Sequence, residues 1–301
     1  MFIGDLKREF YDVILGQRVL IFVNFDVDAI CSCRILQYLL LCDTVSYSIL
    51  PVRSLGELVT AYKESCEQSN HIILINCGGT IDIVEALEPS EEKIFFIADS
   101  HRPYDVCNIY NDGQICLLGR PNEKEGIPAY EDIFGNNDDE DDSDHSTEGG
   151  PADEDDVDED DDDDEEGSRE SLPKRRKLVD PAERVMRRRE KRLWHEKRKE
   201  ILFSYMQFSF YSSSTALLMF ELAWKLSRDS NDLLWWAIIG VTEQQLLGKV
   251  ESKTLLMDSG KLQSHMIRLA HLSQQQNGGG SDSSTGTKDA LYITHEKELI
   301  I

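Results

Sequence analysis

Residues 18–30, RVLIFVNFDVDAI, carry an apolar run straight into two aspartates, Asp26 and Asp28, that sit one residue apart. The run reads as a buried strand, and the DAICSCRILQYLLL that follows reads as a helix. Two carboxylates at that junction suit the first turn of a helix, whose unpaired N–H groups and dipole favour negative charge. They suit a bound cation equally well, or the remnant of a site that once held one, and the residues alone leave these readings open.

Outward from this stretch, short apolar runs alternate with amphipathic ones as far as about Gly119: VSYSILPV, SLGELVTAYKESC, HIILINC, TIDIVEAL and KIFFIADS. Strands alternating with helices argue for βαβ units and a mostly parallel sheet, so the expected class is α/β, followed by a helical segment. Sites in that architecture gather at the carboxyl ends of strands. Three such ends carry polar side chains: Asp26 with Asp28, Asn76, and Asp99 with His101. Ahead of the first strand, MFIGDLKREFYDVI mixes charge and hydrophobe at helical spacing.

The chain has 301 residues, 40% of them hydrophobic, enough to bury a substantial core. Its formal charge of -25 is local: 20 of the 57 acidic residues lie between Asp138 and Glu166, leaving 37 against 32 basic ones. Seven cysteines without C-x-x-C spacing read as reduced intracellular thiols. Cys31 and Cys33, two apart on a helix, face different ways and do not make a zinc pair. No apolar run reaches the roughly 18 residues of a membrane span, so a soluble, non-membrane protein is expected. The absence of G-x-x-x-x-G-K-[ST] excludes a P-loop ATPase.

The organisation expected is an α/β domain over 1–135, an acidic linker over 136–180, a helical region over 181–272 that completes the first body, and a flexible tail over 273–301. The linker is almost devoid of aliphatic and aromatic residues and cannot offset its conformational entropy, so disorder is expected. Asp180-Pro181-Ala182-Glu183 is a helix start. Helices SSTALLMFELAWKLSR and NDLLWWAIIGVTEQQLL are apolar around much of their circumference, which predicts burial, with Trp224, Trp235 and Trp236 as core.

DVDAI (26–30), LINCG (74–78) and DSHRP (99–103) resemble, in order and spacing, the first three motifs of the DHH phosphoesterase superfamily, which includes the RecJ exonucleases. With VNFDVDAICSCRILQ, DSHRPYDVCNIYND, IPAYEDIF, the acidic insert, MRRREKRLWHEKR and MFELAWKLSRDSNDLLWWAIIGVTEQ, the chain more closely resembles the cell division control protein 45 family, over about residues 1–270. That resemblance implies a replication initiation factor in the nucleus. Its implied partners are MCM helicase subunits, the GINS complex, other initiation factors and DNA polymerases, with single-stranded DNA as a further ligand. It also implies a further α/β domain beyond the point where this chain stops.

Measured against the superfamily pattern, the ligand set is short. Phe22 stands where the nucleases carry a histidine, Asn76 where a bridging aspartate is expected, Ser100 where a histidine is expected, and Glu243 near the place of an aspartate. Two divalent ions about 3.5–4 Å apart need bridging anions. The positions Asp26, Asp28, Asn76, Asp99, His101 and Glu243 are therefore vestigial, with no metal, cofactor or catalysis expected. The remaining acids would bond backbone N–H groups and Arg102. The alternative is an active DHH-type single-strand exonuclease or phosphoesterase.

Lys174, Arg175, Arg176 and Lys177 fit a nuclear import cluster. Arg187, Arg188, Arg189 and Arg192, with Trp194 among them, are candidates for nucleic-acid contact, since cations neutralise phosphates and an aromatic stacks on an unpaired base. The competing readings are that the acidic tract occupies those charges and that Trp194 packs inward.

Overall fold

The computed structural model describes residues 1–121, 125–135 and 181–277. The expected acidic linker, the import cluster Lys174–Lys177 and the end of the tail lie outside the described residues.

The strands are β1 (Phe2–Ile3), β2 (Arg18–Asn24), β3 (Ser46–Val52), β4 (His71–Ile75), β5 (Ile94–Ala98), β6 (His101–Arg102), β7 (Ile115–Leu118) and β8 (Phe210–Tyr211). The helices are α1 (Asp12–Ile14), α2 (Val27–Cys42), α3 (Leu55–Ser65), α4 (Ile83–Leu87), α5 (Val106–Tyr110), α6 (Tyr130–Phe134), α7 (Pro181–Met206), α8 (Thr215–Lys225), α9 (Asn231–Leu246) and α10 (Ser252–Asn277). Six strands form one sheet in the order β1-β7-β5-β4-β2-β3, and every pairing in it is parallel. The α/β class and parallel sheet read from the sequence are present.

The continuous apolar runs follow from burial on both faces. Along β2, Val19, Ile21 and Val23 join one core cluster while Leu20 and Phe22 join the other; Ile73 and Ile75 of β4 divide from Ile72 and Leu74 in the same way. This is the two-residue period of a pleated strand. The first cluster is capped by α2, α8 and α9, the second by Leu58 and Tyr62 of α3 and by Ile83 and Leu87 of α4. Each side chain as large as Phe22, fully buried, contributes about 1.5–3 kcal/mol.

Strand order reverses at β2, which pairs with β3 on one side and β4 on the other. Crevices open at the carboxyl ends of strands where order reverses. Asp26 and Asp28 follow β2, Asn76 follows β4 and Asp99 follows β5, so the topology delivers all four to that end. A short antiparallel pair, β6 with β8, sets His101 opposite Tyr211 and leads the chain into α8 beside them.

Two sequence expectations differ from the structure. The N-terminus does not begin as a helix: Phe2 and Ile3 pair with Leu117 and Leu118 as an edge strand, and helical winding starts only at Leu6. Its apolar residues satisfy a sheet edge that local spacing does not reveal. Nor are all three tryptophans core: Trp224 and Trp235 are 46% and 48% exposed, while Trp236 packs against the first cluster. Residues all round α8 and α9 are apolar, but each helix has only one face on the sheet side.

The described residues divide into two compact units, one drawn from residues 1–128 with those from 204 onward, the other from residues 129–203. In the second unit Lys197 pairs with Asp132 at 2.9 Å, and Arg198 Nε donates to the Ile133 carbonyl at 2.9 Å.

Candidate functional site: a carboxylate cluster at the strand ends

Asp26 is the N-cap of α2, its Oδ1 accepting from Ala29 N–H at 2.7 Å. Its other oxygen accepts from Asn24 Nδ2 at 2.8 Å. Asp28, one helical residue further on, is 1% exposed and points away from its own helix end. Its Oδ1 accepts from the Ser214 hydroxyl and from Ala216 N–H at 3.0 Å; its Oδ2 accepts from Thr215 N–H and Oγ1, both at 3.0 Å. The carboxylate therefore sits on the N-terminus of α8, an eleven-residue helix, where free N–H groups and the dipole both favour an anion. Asp-x-Asp thus serves two helices, one aspartate capping α2 and the other receiving α8.

Asn76 links the two. Its φ is +50°, in the left-handed region that asparagine tolerates better than most residues. This turn sends Nδ2 to Asp26 Oδ1 at 3.0 Å and Asp28 Oδ2 at 3.1 Å, while Oδ1 accepts from Ser100 N–H at 3.0 Å. Every polar atom of the amide is used. An aspartate there would put a third carboxylate oxygen within about 3 Å of two others and would demand a cation; the amide supplies positive hydrogen to both.

Asp99 Oδ2 accepts from Gly79 N–H at 2.9 Å, and its Oδ1 from His101 N–H at 2.9 Å and His101 Nδ1 at 2.7 Å. Burial disfavours charge on His101, but the bond to Asp99 and the charges of Asp99 and Asp26 together outweigh it, and the imidazole pKa lies above its ordinary value. The ring packs against Tyr211 in a tilted arrangement, 4.8 Å between centroids and 48° between planes.

Arg102 does not join the strand-end acids as expected. Its Nε pairs with Glu125 Oε1 at 3.0 Å, its Nη1 donates to the Asp99 and His101 carbonyls, and its guanidinium lies 3.8 Å over Tyr104. A buried carboxylate 23 residues away in sequence claims it, because Glu125, 7% exposed, needs a partner more than the already bonded aspartates do.

Glu243 on α9 is 9% exposed; Oε1 accepts from Lys249 Nζ at 2.6 Å, and Oε2 has no hydrogen-bond partner among the described residues. Burial first, and then the charges of Asp28, Asp26 and Glu243, push the Cys31 thiol pKa up to about 12.

A pair of divalent ions does not fit this set. Asp28 accepts five hydrogen bonds, Asn76 is a neutral donor aimed at the oxygens a metal would need, and Glu243 already holds an ammonium. Among the described residues, the three potential ligands whose atoms converge to within 4.8 Å are Asp82, Asp105 and Cys107, elsewhere in the fold. Asp82 and Asp105 cap α4 and α5, which accounts for their positions.

Several site residues are not foreseen by motif reading. Gly240 of α9 lies against the cluster: a Cβ there would be 2.8 Å from Asp28 Oδ1, 2.9 Å from Ser214 Oγ and 2.7 Å from Ala216 Cβ. Gly79 does the same at Asp99 Oδ2, 2.9 Å away. Lys249 is placed by Gly248 (φ +63°): Gly248 N–H bonds Gln245 O and Lys249 N–H bonds Gln244 O, a Schellman turn that folds the chain back on Glu243. The LLGK signal of a helix end was legible; its proximity to the acids was not.

Of the proposed nucleic-acid residues, Arg187, Arg189 and Arg192 are exposed on α7, the Arg188 side chain lies outside the described residues, and Trp194 is half-buried with Arg198 5.9 Å over its ring. No described helix is long and apolar enough to cross a membrane.

A family model described as CDC45 matches residues 19–301. The chain is 44% identical over 299 residues to the human cell division control protein 45 homolog and 43% identical over 302 residues to the mouse one, covering 99% and 100% of this chain. It spans about half of those relatives, 49% of each. The crystal structure of CDC45 from Entamoeba histolytica superposes with a TM-score of 0.56 at 21% identity, covering 89% of this chain and 39% of that one. With this extent of matching, the chain belongs to the CDC45 family.

Proposed function

We propose that this chain is a DNA replication initiation factor that works by contact rather than catalysis. In this reading it is a nuclear scaffold joining the MCM ring to the GINS complex in the replicative helicase, meeting initiation factors and polymerases there and touching single-stranded DNA through α7. Membership of the CDC45 family supports the replication role. The observation that carries the non-catalytic part is the Asn76 amide donating to both Asp26 and Asp28. Phosphodiester cleavage by a two-metal mechanism needs ions that hold the attacking and leaving oxygens, and here their ligands are spent on one another and on α8. The import cluster Lys174–Lys177 and the exposed arginines of α7 extend the same reading.

Affinity capture from nuclear extract tests the scaffold role: recovery of MCM and GINS subunits supports it, and recovery of histones alone refutes it. The competing reading, an active single-strand exonuclease, requires manganese-dependent degradation of a labelled oligonucleotide that Asp26→Ala abolishes.

A further inference from the structure

We infer that Lys249 is a built-in counter-cation which, together with the Asn76 amide, takes the place of divalent ions at the strand-end acids and closes the cluster to them. The inference rests on the non-catalytic reading of the cleft and adds to it the physical means by which metal is excluded.

Carboxylates gathered at one end of a sheet repel one another unless positive charge is supplied, and the structure holds three sources of it. The N-terminus of α8 serves Asp28, and the Asn76 amide serves Asp26 and Asp28. The third is the Lys249 ammonium, 2.6 Å from Glu243 Oε1 and 5.2 Å from the centre of the Tyr211 ring. That ring in turn packs against His101, so the ammonium lies on the same wall as the Asp99–His101 pair. The Lys249 side chain is 19% exposed, and Glu243 retains one buried oxygen with no hydrogen-bond partner in the described residues. Burial alone would lower the Lys249 pKa, yet Glu243 and Asp26 raise it, which places Asp26 within electrostatic reach of the same ammonium. A divalent ion approaching Asp26 and Glu243 would meet this fixed positive charge and the amide hydrogens of Asn76, and would have to expel both. The Schellman turn at Gly248 makes expulsion harder, because it ties the Lys249 backbone to the end of α9.

The test compares manganese binding by wild type and by Asn76→Asp/Lys249→Met, using the full chain and the electron paramagnetic resonance signal of free Mn2+. Both proteins carry the tract between 138 and 166, so its background binding cancels. The double variant is expected to bind one additional Mn2+ at least tenfold more tightly than any site in wild type, with a melting temperature that rises on adding the ion. A second measurement covers the case in which the double variant does not fold. Lys249→Met alone is expected to lower the folding equilibrium constant at least tenfold, since it strands a buried carboxylate, and Glu243→Gln in that background is expected to restore most of the loss. Wild type binding Mn2+ as tightly as the variant would overturn the inference, as would additive effects of Lys249→Met and Glu243→Gln. Nuclease activity in wild type would instead overturn the non-catalytic reading, so the two failures are distinguishable.

Discussion

Substitution of Asp28 by asparagine separates a structural carboxylate from a metal ligand, because the two predict stability changes of opposite sign. Asp28 accepts from Ser214 and Ala216 on one oxygen and from Thr215, twice, and Asn76 on the other. An amide must turn its NH2 toward one set or the other. Hydroxyls can rotate to accept, but a backbone N–H cannot, so either orientation leaves Ala216 N–H or Thr215 N–H facing a donor in a buried site. That costs about 1–3 kcal/mol. Removing the charge from the end of α8 adds about 0.3–2 kcal/mol, for a total of about 1–5 kcal/mol, a large part of the roughly 5–15 kcal/mol that a domain has. Asp26→Asn is the internal control: asparagine caps a helix as well as aspartate does, its Oδ1 still accepts from Ala29 N–H and Asn76, and at this half-buried position the NH2 left facing Asn24 can turn to water, so its cost stays near about 1 kcal/mol or below. The assay is urea unfolding in EDTA, followed by tryptophan fluorescence and far-UV circular dichroism. Were these acids an empty metal cluster, neutralising either would relieve repulsion and stabilise the chelated protein. An Asp28→Asn protein as stable as wild type or more so, or equal losses for Asp26→Asn and Asp28→Asn, refutes the reasoning.

Three further outcomes are expected. Gly240→Ala lowers the melting temperature despite the better helix propensity of alanine, because its Cβ would meet Asp28 Oδ1 at 2.8 Å and Ala216 Cβ at 2.7 Å; the overpacking costs about 1–3 kcal/mol. Asp258, 3% exposed, has its pKa raised to about 6 chiefly by burial, against the opposing effects of Lys261 and the Ser213 hydroxyl. The folded chain therefore binds more protons than the unfolded one between about pH 4 and pH 6, so this group's contribution to stability is lost as pH rises through that window; Asp258→Asn should flatten the slope and gain up to about 3 kcal/mol at pH 7, measured by urea unfolding at several pH values. Replacing Arg187, Arg189 and Arg192 by alanine should reduce the salt dependence of single-strand binding by about two in log–log slope, at about 0.7 per phosphate, read by fluorescence anisotropy; an unchanged slope removes α7 from the interface.

The sequence by itself determined the sheet and the end at which its polar residues meet. Short apolar runs rich in β-branched and aromatic residues, of the kind in β2, β4 and β5, read as strands buried on both faces, and polar residues after them fall at the carboxyl end. It also revealed that Asn76 is a poor metal ligand, since an amide carries no charge. Which partner each group finds was decided by tertiary structure. Asp28 is bonded to residues 186 to 188 positions away, and Arg102 is taken by Glu125 rather than by the acids beside it. Lys249 returns to Glu243 through a turn whose direction depends on one positive φ, and the edge strand at Phe2 exists only because β7 is there to pair with it. Local pattern reports a residue's own preference for burial or charge, whereas a hydrogen-bond partner is chosen by whichever unsatisfied group the folded chain brings nearest.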